Sequence, residues 1–231
     1  MNLKWVAEEI THYFYPNRCS FCNIKLLPQE NGVCLQCLYK LPKTNNFDEP
    51  NNLDETLLAG RFPFERAASF AVFTKEGLLQ ALIHDLKYKN KPYVGHLIGA
   101  LFGADLLGSN FLSTIDVIVP VPLHPKKLVI RGYNQAESFA QGISKTTAIP
   151  VSTDQLIRAI NNPTQTKRTK SQRWENVKGI FEITNSNSFQ NKHVLLVDDV
   201  ITTGSTLEAC AIAILECSNV KISVATIGIA L

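Results

Sequence analysis

Long apolar runs are scarce in this chain of 231 residues. The longest, around Leu97–Gly108, is interrupted by Asp105 and falls short of the ~20 residues that a membrane-crossing helix needs. The amino terminus, MNLKWVAEEITHYF, places Glu8 and Glu9 where a secretory leader would be apolar. Both absences speak against membrane insertion, and we expect a cytoplasmic protein with no membrane span. A strong excess of one charge is also missing. Lysine and arginine number 23 against 20 acidic residues, a net charge of +3, so nucleic-acid contact is permitted but not demanded. Hydrophobic residues make up 45% and charged residues 19%, which supplies a packed core. The length suits one large domain or a domain with a small appendage.

Cysteine is sparse and unevenly placed. Four of the six form Cys19-Ser-Phe-Cys22 and Cys34-Leu-Gln-Cys37, with eleven residues between the pairs. Two such knuckles in a short polar segment suit tetrahedral coordination of one metal, and four thiolates leave no position open for a substrate. We expect a structural Zn²⁺ ribbon, favoured over an iron–sulfur cluster and over disulfides, which a cytoplasmic setting disfavours. A segment with so little core would depend on metal to fold. Cys210 and Cys217 are expected to be buried core thiols.

Ahead of the ribbon, apolar residues recur at helical spacing over Asn2–Tyr15 and stop at Pro16. After it, the polar, Asn-rich Lys43–Asn52 reads as a linker. The expected organisation is an N-terminal helix and ribbon over residues 1–45 and a main domain over residues 46–231. In the main domain, strands are expected at Arg66–Thr74, Ile115–Val121, Phe181–Thr184, Val194–Val197 and Val220–Ile229. Helical periods cover Lys75–Lys89, Tyr93–Leu107, Ala136–Ser144 and Leu207–Cys217. This is the pattern of an α/β fold, a parallel sheet flanked by helices.

The densest chemistry lies in Lys192–Leu207, KHVLLVDDVITTGSTL. Val194–Val197 suits a central parallel strand covered on both faces. Asp198 and Asp199 follow, and an acidic pair at the end of a buried strand is costly unless it is used. Thr202-Thr203-Gly204-Ser205-Thr206 then opens a helix. Its backbone N–H groups, its hydroxyls and the helix dipole would cradle a phosphate, and Gly204 would let the backbone approach closely. Carboxylates beside a phosphate cradle point to a phosphorylated sugar, whose hydroxyls they would accept. With a diphosphate present they would also help hold Mg²⁺. A solvated acidic pair at an ordinary turn does not account for the three features standing in consecutive register.

The strand Ile115–Val121 leads into His124, Lys126 and Lys127, and then into Arg131-Gly132-Tyr133-Asn134-Gln135. Neighbouring parallel strands deliver their C-terminal loops to one crevice, so this cationic loop would complement a diphosphate there. Between Arg158 and Phe181, six cations (Arg158, Lys167, Arg168, Lys170, Arg173 and Lys178) are mixed with polar residues and show no hydrophobic period. A basic lid over the pocket is expected, with nucleic-acid contact through Trp174 as the alternative. His84 and Lys87 share one helix face and read, from pattern alone, as a capped or core histidine and a solvated lysine.

The stretch running from the strand through the two acids to TTGST resembles the phosphoribosyl pyrophosphate (PRPP) motif of type I phosphoribosyltransferases. The resemblance implies that Asp198 and Asp199 meet the ribose hydroxyls and that Thr202–Thr206 bind the 5′-phosphate. Thr202 departs from the 6-oxopurine salvage members, which carry Asp there, and this argues against that substrate class. Further motifs are the double CxxC, His84 with Leu86, Lys87 and Tyr88, and Pro120 and Pro122 with His124. Arg131, Gly132, Asn134 and Gln135 follow, then Gln165, Arg173 and Asn176. In this order the motifs resemble the ComF family over nearly the whole chain, with Arg168 standing where that family usually has Leu.

The ComF resemblance implies a zinc ribbon joined to a type I phosphoribosyltransferase-like domain that serves DNA uptake in natural competence. Its implied partners are PRPP or a phosphorylated ribose, single-stranded DNA and a competence helicase. By the same resemblance Asp198, Asp199, Arg131 and Lys87 carry catalysis. Thr202, Thr203, Gly204, Ser205 and Thr206 hold PRPP with Mg²⁺, and His124, Lys126, Lys170 and Arg173 serve the diphosphate and the lid. No side chain stands out as base for an acceptor. The alternatives are a non-catalytic module that handles single-stranded DNA and a salvage transferase for another acceptor.

Overall fold

The computed structural model describes residues 18–30, 32–159 and 179–230. The helix expected over Asn2–Tyr15 lies outside the described residues, as do Lys170 and Arg173 of the lid, and Gln165, Arg168, Trp174 and Asn176. In chain order the elements are α1 (Leu35–Tyr39), α2 (Leu53–Leu58), β1 (Ala67–Phe73), α3 (Leu78–Tyr88), α4 (Pro92–Leu107) and β2 (Val117–Pro120). They continue with α5 (Pro125–Arg131), α6 (Gln135–Thr147), β3 (Leu156–Arg158), β4 (Phe181–Ile183), β5 (His193–Ile201), α7 (Ser205–Ile214) and β6 (Lys221–Ala230).

Four strands form a wholly parallel sheet in the order β1-β6-β5-β2. They are largely apolar because both faces are covered, with Ser69, Ser223 and Thr226 among the buried exceptions. In β5, Leu195 and Val197 pack with α3, α4 and α6, while Val194 and Leu196 pack with α2 and α7. The period of two thus sends alternate residues into two separate cores. Among the described residues, no helix is long and apolar enough to cross a membrane.

Four differences from the sequence reading have physical causes. The Lys43–Asn52 segment, expected as a linker, is tied to the outer edge of β1. Thr44 N donates to Phe70 O at 3.1 Å, Val72 N donates to Pro42 O at 2.8 Å, and Asn52 Nδ2 donates to Ala67 O at 2.9 Å. Backbone that reads as loop by composition, together with the Asn52 amide, here satisfies backbone groups of an edge strand. The expected strand at Phe181–Thr184 pairs antiparallel with β3 in a separate two-stranded sheet, so Arg158 belongs to a strand rather than to a lid. The loop of His124 and Lys126 contains the helix α5, whose residues are all at least partly exposed and therefore carry no hydrophobic period.

The fourth difference concerns the acidic pair. β5 continues to Ile201, four residues past the expected end. Its pairing with β2 stops at Pro120 opposite Val197, and from Asp198 onward it pairs with β6 alone. The acids therefore sit within a strand that has lost one neighbour. The cysteine segment is not detached either: Cys19, Leu26, Val33, Cys34, Cys37 and Leu41 share one apolar cluster with Phe70, Leu79 and Val94.

Candidate functional site

Alternation along β5 turns the two acids to opposite sides of the sheet. Asp199 Oδ2 accepts from Lys87 Nζ at 2.7 Å, near the end of α3. Asp198 lines the Thr202–Leu207 turn, and its Oδ1 accepts from the Asp199 N–H at 2.8 Å. Burial, and then the charge of Asp199, push the Asp198 carboxyl up to about 7, offset in part by that N–H bond and by Lys87. One carboxylate is thus paired with a cation, and the other exchanges its proton near neutrality.

Ile201 and Leu207 are buried and anchor the two ends of the turn, while Thr202, Thr203, Ser205 and Thr206 between them are exposed. Thr203 Oγ1 and Ser205 Oγ lie 3.0 Å apart at the start of α7. Gly204 is the N-cap of α7 and has φ +74°. A Cβ there would stand 2.9 Å from Leu58 Cδ2 and 3.3 Å from Arg61 Cδ. Gly204→Ala is therefore expected to destabilise the fold by roughly 1–2 kcal/mol from the left-handed backbone alone, with the crowding added. A thermal melt of the variant checks this, and an unchanged midpoint would contradict the geometry.

The other expected residues divide into those the fold brings to the acids and those it employs elsewhere. The solvated-lysine reading of Lys87 gives way, because its amine pairs with Asp199. The capped or core reading of His84 also gives way: the residue is exposed, with its ring 5.1 Å from that of Tyr88. Arg131 lies with its guanidinium 5.6 Å from the Tyr88 ring, and its Nη1 donates to Gln135 Oε1 at 2.7 Å. The neighbouring turn clasps α3, since the Tyr133 hydroxyl donates to Leu86 O. Asn134 caps α6, its Oδ1 accepting from Ala136 N at 3.1 Å, and its Nδ2 donates to Val121 O at 3.0 Å. His124 caps α5, with Nδ1 accepting from Lys126 N at 3.1 Å, and Lys126 itself is exposed.

Two residues beside the site carried no motif. Arg61 lies against Gly204 and donates to Glu208 Oε2 at 3.0 Å, so a cation brackets the turn from the α2 side. Asp85 is a charge on the otherwise apolar face of α3, with Leu78, Leu82 and Leu86. A buried acid at core spacing was the signal that could have found it.

The sulfurs of Cys19, Cys22, Cys34 and Cys37 all lie within 4.8 Å of one another. Burial raises the Cys19 thiol, but the backbone N–H groups of Cys34, Cys22 and Phe21 more than offset this and bring it down to about 6, while burial pushes Cys37 up. Four converging sulfurs form a donor set that can hold a metal ion of the zinc type.

Comparison with known proteins agrees with this geometry. A family model described as "Phosphoribosyl transferase domain" matches residues 133–230, from the Tyr133 turn through β6. The chain is 35% identical over 133 residues to Competence protein F of Haemophilus influenzae, covering 56% of this chain and 58% of that protein. It is 26% identical over 207 residues to DNA utilization protein YhgH of Escherichia coli (strain K12), covering 85% and 89%. It is 37% identical over 116 residues to Competence protein ComFC of Bacillus subtilis, covering 47% and 45%. The two competence-named matches thus span about half of those relatives. A parallel sheet whose open strand edge carries Asp198 and Asp199, with a four-cysteine cluster packed on its flank, thus accompanies the phosphoribosyl transferase domain match over residues 133–230 and the similarity to Competence protein F and ComFC.

Proposed function

We propose that the chain binds PRPP, or another phosphorylated ribose, at the β5–α7 turn and supports DNA uptake in natural competence. The observation that carries this reading is the continuity of the open β5 edge with the exposed hydroxyl turn, with Lys87 standing against Asp199. Asp198 and Asp199 accept from the ribose hydroxyls, and the α7 start with Thr203 and Ser205 donates to the 5′-phosphate. Lys87 places a positive charge beside the acids, where a departing diphosphate would gather charge. Carboxylate oxygens are suitable donors for Mg²⁺, which would accompany PRPP and neutralise the diphosphate. Phosphoribosyl transfer is the chemistry such a site serves. The role in competence is drawn from the names of the relatives, Competence protein F and DNA utilization protein.

The test is a competition. Ribose 5-phosphate should bind and be displaced by PRPP, because both offer the sugar and the 5′-phosphate. Binding of free diphosphate alone would contradict the reading. A single-stranded-DNA role finds support in the exposed Lys126 and Lys127 of α5. It predicts DNA affinity that falls steeply with salt.

The proton on Asp198 gives a pH dependence. Its folded-state value lies above that of an unfolded Asp, so the folded chain holds the extra proton between ~4 and about 7. The stability tied to that proton is full below this window and is lost as pH rises through it. Ribose hydroxyls and Mg²⁺ favour the ionised carboxylate, so ligand binding expels the proton. Affinity for PRPP with Mg²⁺ should rise between pH 6 and pH 8, and calorimetry in buffers of different ionisation enthalpy should detect proton release near pH 6.5. Proton uptake on binding would reverse this assignment.

A further inference from the structure

The carboxyl-terminal end of α3 is held from two directions. On one side, Asp85 is 2% exposed and binds two cations, Lys89 Nζ on Oδ1 at 2.8 Å and Lys91 Nζ on Oδ2 at 2.8 Å. Lys91 Nζ also donates to Ser20 Oγ at 3.0 Å, and Ser20 stands between Cys19 and Cys22 of the first knuckle. The loop before the second knuckle meets the same segment. A Cβ on Gly32 would fall 2.1 Å from Tyr93 Cε2, so the cysteine segment rests its backbone directly on the Tyr93 ring. On the other side, Lys87, two residues beyond Asp85, reaches Asp199 at 2.7 Å, and Leu86 O accepts from Tyr133. Residues 85–93 are thus clamped between the four-cysteine cluster and the acidic pair.

We propose that Asp85 is a positioning residue that links metal binding at Cys19, Cys22, Cys34 and Cys37 to ligand binding at Asp198 and Asp199. The proposal rests on the phosphoribose reading of that acidic pair. A metal ion would fix the knuckles by joining all four thiolates. Ser20 then holds Lys91, Lys91 holds Asp85, and the last turn of α3 presents Lys87 to Asp199. With the knuckles loose, Lys91 loses its second partner, Tyr93 loses its cover, and the turn bearing Lys87 is free to drift. The carboxylate is suited to a permanent anchor. Burial would raise it, but Lys89, Lys91 and Ser20 more than compensate and bring it down to about 2, so it stays charged at neutral pH. Linkage of this kind is reciprocal: a metal that tightens the ligand must itself be tightened by the ligand to the same degree.

The experiment uses the full chain loaded with zinc. PRPP affinity is measured by calorimetry before and after chelation, and zinc loss to a chromophoric chelator is timed with and without ribose 5-phosphate. The expected result is an affinity about 10-fold weaker without metal, and zinc loss slowed to a similar degree by the ligand. Because chelation also loosens the knuckles themselves, Lys91→Met serves as the decisive variant. It keeps the Asp85–Lys89 pair and the cysteines but removes the arm to Ser20. It should remain zinc-loaded and folded, bind PRPP at the weaker level, and lose zinc at a rate indifferent to the ligand. Lys91→Arg should restore the linkage, and Asp85→Asn should abolish it from the other end. If PRPP binds the loaded protein and Lys91→Met alike, and ligand leaves zinc loss unchanged, the linkage is overturned while the phosphoribose reading stands. If PRPP does not bind the loaded protein at all, both fall.

Discussion

Replacing Asp198 and Asp199 together with alanine should weaken PRPP binding by at least about 100-fold. Each carboxylate is assigned hydrogen bonds from ribose hydroxyls, and bonds to a charged group contribute roughly 1.5–3 kcal/mol each. Losing both costs about 3–6 kcal/mol, a factor of about 10² to 10⁴ in affinity. The free protein should tolerate the change. Asp198 holds its carboxyl against burial and against the charge of Asp199, so its removal relieves a cost, while Lys87 gives up its ion pair with Asp199 but keeps some access to water. A thermal melt should therefore shift little. The pairing of lost affinity with a kept melting temperature separates a ligand site from a structural one. Full affinity in the double variant would move the site elsewhere.

Removing metal from the cysteine cluster, or replacing Cys34 and Cys37 with serine, should unfold the segment from Arg18 to Leu41. Its described helix, α1, has five residues, too few to stand alone. Metal ligation by the four thiolates would therefore add much of its order to that of the packing, and structural zinc contributes on the order of 10 kcal/mol to such segments. The loss should spread, because Cys19, Cys34 and Cys37 are buried in the same cluster as Phe70 and Val94. We expect the thermal midpoint to fall by about 10 °C or more. Hydrogen exchange should show which part goes first. The Cys19 amide bonded to Ile24 O at 2.9 Å and the Asn23 amide bonded to Cys19 O at 3.0 Å lose protection, while the amides between β5 and β6 retain it. Unchanged exchange in the knuckles after chelation would show that the sulfurs meet without needing a metal.

The central strands were legible in the sequence because burial on both faces leaves an unbroken mark: Val194–Val197 and the core of Ile115–Val121 are strands for the reason they looked like strands. The cysteine cluster was legible because two closely spaced CxxC pairs supply four sulfurs that converge within 4.8 Å of one another. The turn between β5 and α7 stood out because acid pair, hydroxyls and glycine are consecutive. What escaped was set by contacts distant in sequence. Nothing near Lys87 foretells Asp199, because their meeting depends on α3 lying over β5. α5 hides no residue and so has no period to read, and β3 is three residues long, too short for one. The Asn-rich Lys43–Asn52 mimics a linker until the bare edge of β1 takes up its backbone and the Asn52 amide. The tyrosine and asparagine of the Arg131–Gln135 turn looked unusual enough for ligand binding, and the fold gives both of them caps and clasps to make.

The measurement that tests the central claim most directly is a calorimetric titration of PRPP with Mg²⁺ into the purified, zinc-loaded chain at pH 7.5, repeated in the presence of ribose 5-phosphate. The account predicts saturable binding at about one PRPP per chain, weakened by the competitor. No heat of binding at millimolar PRPP, or binding that ribose 5-phosphate does not affect, would contradict it.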